Sequence, residues 1–238
     1  MGNMRGLAFC MLAVVATPPV PSQPEPDRAA VLEKFLTSND SALVSYKALR
    51  RLSVLARDGK MQAFLTAQTW LDPENGFRYE VLEESGSGFL RSRVLHPVLE
   101  AERRSKLRDK GAHGALTDAN YIFTVGQLTP DGLLQVAMKP RRKDELLMDG
   151  SMFLNATDSD LVRMEGLLVK RPSFWTRKVY IVRHYTRIGG TRVPISTGST
   201  ADVLFTGKST FSMSYEYETI NGAAVASDGQ AARRVTAR

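Results

Sequence analysis

The sequence has few of the residues from which metal sites and nucleophilic active sites are built. Its 238 residues include one cysteine, Cys10, and three histidines, His96, His113 and His184. No two histidines have the spacing of a metal-binding pair, and no G-x-S-x-G motif is present to expose a serine nucleophile. These absences weigh against an enzyme and predict a protein without catalysis, metal or cofactor.

Long apolar runs are also missing. The N-terminal stretch at residues 6–16 has about 11 apolar residues, whereas a membrane-spanning helix needs about 20. It follows Arg5 and precedes a proline-rich segment, a pattern typical of a secretory signal peptide. We therefore expect a signal peptide at residues 1–22, cleaved after Ala16 or Ser22, and a mature protein in the periplasm. Cys10 lies within the run and follows Phe9, so its context does not fit lipidation.

Charge is positive but scattered. The net charge is +7, from 32 Lys and Arg against 25 Asp and Glu. Basic pairs such as Arg103 and Arg104 are interrupted along the chain by acidic residues, and an exported protein rarely meets nucleic acid. Solvated strand edges are the stronger interpretation, because charge on an edge strand prevents aggregation. Attraction to anionic lipid headgroups is a second interpretation, and no nucleic-acid partner is expected.

Two helices are indicated by capping and apolar spacing. The first follows Asp27, a residue typical of helix N-caps, and carries an apolar stripe that includes Val31 and Phe35. The second is expected to begin near Pro97, which suits a first helical turn, and to end at Gly111. The segment "SGSG" at residues 85–88 is interpreted as a flexible connection before it.

Most of the chain alternates with a period of two, which is typical of strands. Asp58 and Gly59 predict the turn of a first hairpin, and later turn signals delimit a run of strands, with "DELLM" and "SMFLN" taken as two strands around a turn at Asp149 and Gly150. This gives about eleven strands that pair with their sequence neighbours. The fold class is mainly β (α+β), and residues 223–238 are expected to be a disordered tail.

The stretch "KVYIVRHYTRIGG" differs from a half-exposed strand. Val179 and Ile181 alternate with Tyr180, Val182 and His184, so both faces are largely apolar or amphipathic. This pattern predicts a central strand that is covered on both sides. A helix or a ligand must therefore cover the second face of this strand.

The segment "SMFLNATDSDLVRMEGLLVKRPSFWTRKVYIVRHYTRIGGTRVPISTGSTADVLFTGKSTFSMSYEYETING" resembles exported bacterial proteins of the outer-membrane lipoprotein-sorting (LolA-like) family. "GFRYEVLEESGSGFLRSRVLHPVLEAE" and "PRRKDELLMDG" extend the resemblance, which covers most of residues 23–222. It implies an unclosed, strongly curved antiparallel β-barrel around an apolar cavity, with short helices as a lid and lipoprotein acyl chains as cargo. An early-strand arginine closes the lid in this family, and Arg50 and Arg51 are the candidates.

Two functions remain open. One is a periplasmic carrier or sensor that binds lipid, or the acyl chains of lipoproteins, in an apolar cavity. The other is a structural or interaction module of the cell envelope, a monomer that fills its barrel with its own side chains and binds an inner- or outer-membrane protein. Methionine suits a cavity lining because its side chain adapts to varied shapes. The residues expected to line the cavity are Met152, Phe153, Met164, Leu168, Trp175, Tyr180, Val182, Phe211, Met213 and Tyr215.

Overall fold

A computed structural model describes residues 27–107, 114–170, 176–203 and 207–226. The expected signal peptide, Cys10, His113, Gly111, Trp175 and most of the expected tail lie outside these residues. The helical elements are α1 (Arg28–Thr37), α2 (Gly88–Leu90), a π-helical turn (Arg91–Leu95) and α3 (His96–Leu107). The strands are β1 (Tyr46–Ala56), β2 (Met61–Asp72), β3 (Gly76–Gly86), β4 (Tyr121–Leu128), β5 (Leu133–Pro140), β6 (Met148–Asn155), β7 (Leu161–Leu168), β8 (Thr176–Ile188), β9 (Thr191–Val203), β10 (Gly207–Ile220) and β11 (Ala223–Ala224).

All of these strands belong to one antiparallel sheet. Its order is β3-β2-β1-β10-β9-β8-β7-β6-β5-β4, and β11 pairs with β10. The edges are β3 and β4, so the curled sheet stays open, and the chain crosses from one edge to the other through α2 and α3. The predicted fold class is confirmed. The expectation of pairing between sequence neighbours alone was wrong, since β1 pairs with β10 and β3 does not pair with β4.

Local signals placed the first elements correctly. The Asp27 carboxylate accepts hydrogen bonds from the backbone N–H groups of Ala29 and Ala30 and thereby begins α1. The first hairpin turns through Arg57, Asp58 and Gly59, all of which have positive φ. Glycine adopts that conformation without strain, which explains its place in the turn.

The second helical segment begins earlier than the sequence indicates. The Ser87 side chain accepts a hydrogen bond from the N–H of Leu90, so part of the stretch expected to be flexible caps α2 instead. The chain then continues through the π-helical turn into α3 without a break. Pro97 does lie in the first turn of α3, but this turn is in the interior of the continuous helical segment, where proline cannot donate a backbone hydrogen bond.

A close approach between two strands explains a second correction. Asp149 and Gly150 do not form a turn, because β6 runs through them and Gly150 lies directly opposite Gly166 of β7. A Cβ atom on Gly150 would overlap the Glu165 carbonyl oxygen, and one on Gly166 would lie 2.5 Å from the Asp149 carbonyl oxygen. Glycine is therefore needed here because it lets the two backbones approach each other.

Two separate clusters form the core. The first joins α3 to β1, β2, β3 and β10, and we call it the α3 cluster. The second joins α1 to β4, β5, β6 and β7, and we call it the α1 cluster. Between them, several side chains of the central strands are only partly buried, and we call this region the seam. Its members are Ile181, Arg183, Tyr185, Phe211 and Tyr215.

An ionic network closes one end of the sheet near α1. Arg187 on β8 bonds to Asp40, which follows α1, and to Asp160 in the turn before β7. Arg192 on β9 also pairs with Asp40, at 2.5 Å. The hydrogen bonds from Arg187 hold the pKa of the Asp160 carboxyl below its usual range. A helix connection, a turn and two strands therefore depend on the ionised form of these carboxylates.

The glycine contact predicts different effects for two glycines of the same sheet. Gly150→Ala should lower the free energy of unfolding by about 1–3 kcal/mol, because overpacking forces the backbones apart. In a protein of this size that is a fall in Tm of about 2–4 °C for each kcal/mol. Gly198→Ala is the control, because a Cβ atom there meets no neighbour within 4 Å. Equal Tm values for the two variants would contradict the close approach.

The ionic network predicts a pH-dependent stability. Because the pKa of Asp160 is lowered in the folded state, its contribution is complete above the unfolded pKa of about 4 and is lost as the pH falls. Asp160→Asn should therefore destabilise the protein by about 1–3 kcal/mol at pH 7, and the difference from wild type should shrink between about pH 5 and pH 3. Thermal melts across this range measure it, with Asp158→Asn from the same turn as control. A difference that is constant with pH would exclude this role.

Candidate functional site

The register of the sheet assigns each side chain to one of two faces. Residues directly opposite in an antiparallel sheet share a face. The face that packs against α1 and α3 contains the cross-strand rows Met164, Arg183, Thr197, Met213, Leu52 and Leu65, and Ile181, Ser199, Phe211, Val54 and Ala63. We call this the helix-covered face and the opposite one the outer face.

A buried arginine fastens α3 to the helix-covered face. The side chain of Arg50 on β1 is 1% exposed and forms a two-pronged ion pair with Glu102 of α3, with Nη–Oε distances of 2.6 and 3.0 Å. The Tyr46 hydroxyl accepts a hydrogen bond from the same guanidinium and donates one to Glu102 at 3.3 Å. A planar guanidinium suits this arrangement because its donors match a carboxylate edge to edge.

Aromatic rings enclose the rest of the Arg50 guanidinium. Its central carbon lies 4.6 Å from the ring centre of Tyr215, 5.0 Å from that of Phe77 and 5.7 Å from that of Tyr46. Burial acts to lower the pKa of Arg50, but the Glu102 carboxylate outweighs it and raises the pKa above its usual range. Arg50 is therefore charged at any physiological pH, and its charge is balanced by α3.

The polar residues of α3 have a structural explanation. Leu95 and Leu99 are fully buried against the sheet, while Glu100 accepts a hydrogen bond from the Tyr79 hydroxyl at 2.6 Å. Burial, together with Glu100, raises the pKa of Tyr79 to about 12. The helix thus combines an apolar contact with two carboxylates that bind polar groups of the sheet, which accounts for its low number of apolar residues.

Arg51, the second candidate from the sequence, lies on the outer face. Its side chain is 51% exposed and pairs with Glu216 of β10 at 2.8 Å. Adjacent strand residues point to opposite faces, so only one of the two arginines can reach α3. In the structure that residue is Arg50.

The sheet separates between β9 and β10. Their pairing extends from Val203 and Gly207 to Ser196 and Ser214 and then stops. Pro194 lies on β9 two residues before Ser196, and the Tyr217 hydroxyl donates to its carbonyl oxygen at 2.9 Å. The N–H and C=O of a strand residue point to the same side, so proline removes a donor that would face β10. The separation thus has a cause in the sequence.

The separation leaves a cleft of about 870 Å³, which we call the β9–β10 cleft. Strand β11 enters it by pairing with the end of β10, and the N–H of Val225 donates to the Glu218 carbonyl at 2.9 Å. The first residues of the expected tail, Ala223 and Ala224, are therefore paired. The lining includes an apolar and aromatic set that comprises Ile188, Ile195, Tyr215, Tyr217, Ile220 and Val225, and a polar set that comprises Arg51, Ser196, Ser214 and Glu216.

The residues expected to line a cavity divide between the two faces. Met152, Met164, Leu168, Phe211, Met213 and Tyr215 lie on the helix-covered face, with Met152, Met164 and Met213 buried in the two clusters. Phe153, Tyr180 and Val182 lie on the outer face, and Trp175 is outside the described residues. Tyr180 is 41% exposed. The second cover expected over β8 is absent from the residues that the structure describes.

Several residues of the site were not identified from the sequence. Glu102 and Tyr46 bind Arg50, and Ile195, Tyr217 and Ile220 line the cleft. A signal for the first group does exist, because Tyr46 and Arg50 share a face of one strand and Leu95, Leu99 and Glu102 recur at helical spacing. The partner of Arg50 is set by how the helix lies on the sheet.

Among the residues described, no group of three or more His, Cys, Asp or Glu side chains is arranged to hold a metal ion. None of the described helices has the length and apolar character required to span a bilayer.

Comparisons with known proteins give only distant likenesses. No family model and no curated protein matches the sequence. Among solved structures, a LolA superfamily protein from Nitrosomonas europaea is similar at 11% identity and a TM-score of 0.45, over 84% of this chain and 96% of that chain. MucB in complex with MucA(peri) is similar at 8% identity and a TM-score of 0.21, over 80% of this chain and 93% of that one. Likenesses this weak carry no argument about function.

The two neighbouring arginines predict a matched pair of outcomes. Arg50→Gln should lower the free energy of unfolding by about 2–4 kcal/mol, because it removes the buried cation that binds Glu102 through two contacts. Arg51→Gln should change it by less than about 0.5 kcal/mol, since an exposed ion pair contributes little. Urea denaturation measures both, and hydrogen exchange should accelerate in α3 for Arg50→Gln alone. Equal effects would show that α3 does not depend on the buried pair.

Proposed function

We propose that the protein is an exported, non-catalytic carrier or sensor that binds the acyl chain of a lipid or a lipoprotein. The β9–β10 cleft carries this proposal. Its volume of about 870 Å³ lies in the range of small-molecule sites, and its lining combines apolar side chains with a few polar groups. It opens where two neighbouring strands separate, and Tyr215 belongs both to its lining and to the seam.

The seam extends this site under the helices. Ile181 and Tyr185 pack against the α1 cluster and Phe211 against the α3 cluster, yet all three remain partly exposed. An acyl chain that left the cleft past Tyr215 would meet these side chains next. Partly exposed apolar surface on a concave face is what such a chain would cover.

Helix α3 is the proposed lid over this face. Its contact with the sheet combines the apolar side chain of Leu99, and of Leu95 in the preceding π-helical turn, with the polar bonds of Glu100 and Glu102. The Arg50 ion pair fixes the closed position, because both of its oxygen–nitrogen contacts depend on the orientation of α3. Release of this pair would expose the Tyr215 ring, and Tyr215 lies beside the cleft.

Apolar burial alone is sufficient for useful affinity. Micromolar binding requires about 8 kcal/mol, which roughly ten buried methylene groups supply at about 0.8 kcal/mol each. A chain of about 16 carbons has more methylene groups than this minimum, and the additional burial offsets the entropy that is lost on binding. A carrier of this kind needs no polar sequence motif, which is consistent with the scarcity of such motifs in the chain.

The envelope interaction module is the second candidate. The observation that favours it is the burial of Met152, Met164 and Met213, which fill the two clusters with the protein's own side chains. In that case the partner is another envelope protein. The outer face offers exposed apolar side chains for such a contact, among them Phe64, Leu167 and Tyr180.

Binding of a fluorescent 16-carbon acyl probe tests the carrier proposal. We expect saturable binding that lipid extract competes away. Ile195→Gln should weaken it by roughly tenfold, because it places an amide in the apolar lining at a cost of about 1–2 kcal/mol. Leu55→Gln makes the same change at an exposed position of β1 outside the cleft and should leave the affinity unchanged.

A folded wild-type protein that binds no acyl probe, and that carries no lipid in native mass spectrometry after purification, would exclude the carrier and leave the interaction module. Equal losses in the two variants would mean that the probe binds elsewhere.

A further inference from the structure

Arg183 is a second arginine on the helix-covered face, on a different strand from Arg50. It lies in the middle of β8, between Met164 of β7 and Thr197 of β9. Its Nε donates a hydrogen bond to the Thr197 hydroxyl at 3.2 Å. Within the described ranges no carboxylate forms an ion pair with it, whereas Arg50 has Glu102 and Arg187 has Asp160.

The surroundings of Arg183 keep it charged. Burial acts to lower its pKa, but Tyr185, Tyr215 and the Glu102 carboxylate outweigh this and raise the pKa above its usual range. The Tyr185 hydroxyl also donates to the Met164 sulfur at 3.4 Å, which places an apolar side chain beside the same group. The guanidinium therefore stays ionised in a largely apolar setting.

The charges on this part of the face do not balance. Arg50 and Arg183 contribute two positive charges near Tyr215, and Glu102 contributes one negative charge that is already bonded to Arg50. Two partly desolvated cations that share one carboxylate are unfavourable. An anion that arrives at Arg183 would restore the balance in a medium where charge-assisted hydrogen bonds are strong.

We propose that Arg183 binds the anionic head group of the amphiphile whose acyl chain occupies the β9–β10 cleft. This proposal rests on the acyl-binding function proposed above and names the ligand class as anionic lipids, with a carboxylate or a phosphate as the head. The strand register connects the two parts. Arg183 lies opposite Thr197, two residues along β9 from Ile195 of the lining, and Thr197 lies opposite Met213, two residues along β10 from Tyr215. The head group and the chain then lie on adjacent parts of one site.

A purely structural role for Arg183 makes a different prediction. Its bond to Thr197 joins β8 to β9, so its loss would lower stability for any ligand alike. A head-group role changes the preference between a charged and a neutral ligand of equal chain length. Selectivity therefore separates the two roles, and stability alone does not.

Displacement of a non-ionic fluorescent acyl probe tests the proposal. Palmitate, its methyl ester and a lysophosphatidic acid of the same chain length are compared on the full mature chain. For wild type we expect the two anionic ligands to displace the probe at concentrations at least about tenfold lower than the ester. If only one of them shows this advantage, the head group is identified as a carboxylate or as a phosphate.

Three variants locate the effect. Arg183→Gln should reduce the ratio of acid to ester affinity to about one while the affinity for the ester stays within about twofold of wild type. Arg183→Lys keeps the charge and should keep most of the preference. Arg78→Gln removes an exposed arginine of β3 that is paired with Asp72 and lies outside the cleft lining, and it should behave as wild type.

The outcomes distinguish this proposal from the one that it rests on. If wild type binds the ester and the acids equally well, Arg183 does not bind a head group, while the acyl site stands. If none of the three ligands displaces a bound probe, the acyl-binding function fails and this proposal fails with it. If Arg183→Gln does not fold, the proposal is tested by the ratio of acid to ester affinity in wild type and by whether Arg183→Lys retains that ratio.

Discussion

The buried ion pair between Arg50 and Glu102 joins the two layers of this protein. Taking a guanidinium out of water is costly unless its donors and its charge are satisfied. Glu102 and the Tyr46 hydroxyl bind the terminal nitrogens of the guanidinium, and the rings of Tyr46, Phe77 and Tyr215 surround it. The orientation of helix α3 thus pairs Glu102 with Arg50 and at the same time buries Leu99 against the sheet.

The separation of β9 from β10 is the second constraint. A continuous sheet would leave no cleft. The carbonyl of Pro194 accepts a hydrogen bond from the Tyr217 hydroxyl, which links the two strands across the gap. Tyr215 lies two residues earlier on β10 and contacts Arg50. The proposed lid contact and the cleft thus meet on one segment of β10, and Arg183 lies two strands away, across Thr197 from Met213. This is the physical basis for treating them as one site.

The two core clusters account for the coexistence of two functional hypotheses. Each helix covers one half of the sheet, and the side chains of each half fill its own core. Met152, Met164 and Met213 are part of this packing. The central strands between the helices keep partly exposed side chains on the same face. The interaction-module hypothesis fits the two halves, which are filled by the protein's own side chains. The carrier hypothesis fits the seam and the cleft.

The sequence by itself determined the elements that depend on neighbours along the chain. Asp27 begins a helix because its carboxylate reaches N–H groups two and three residues away, and alternation with turn residues located most strands. The same local pattern led to a wrong prediction of a turn at Asp149 and Gly150. In the structure Gly150 instead allows β6 to approach Gly166 of β7 closely.

Only the tertiary structure decided which residues meet. Arg50 and Arg51 are equivalent in the sequence, and the choice between them depends on where a helix about fifty positions later lies on the sheet. The pairing of β1 with β10 and the place of Arg183 beside Thr197 have the same origin. Each depends on the register and curl of the whole sheet, so it cannot be predicted from the residues that are adjacent in the sequence.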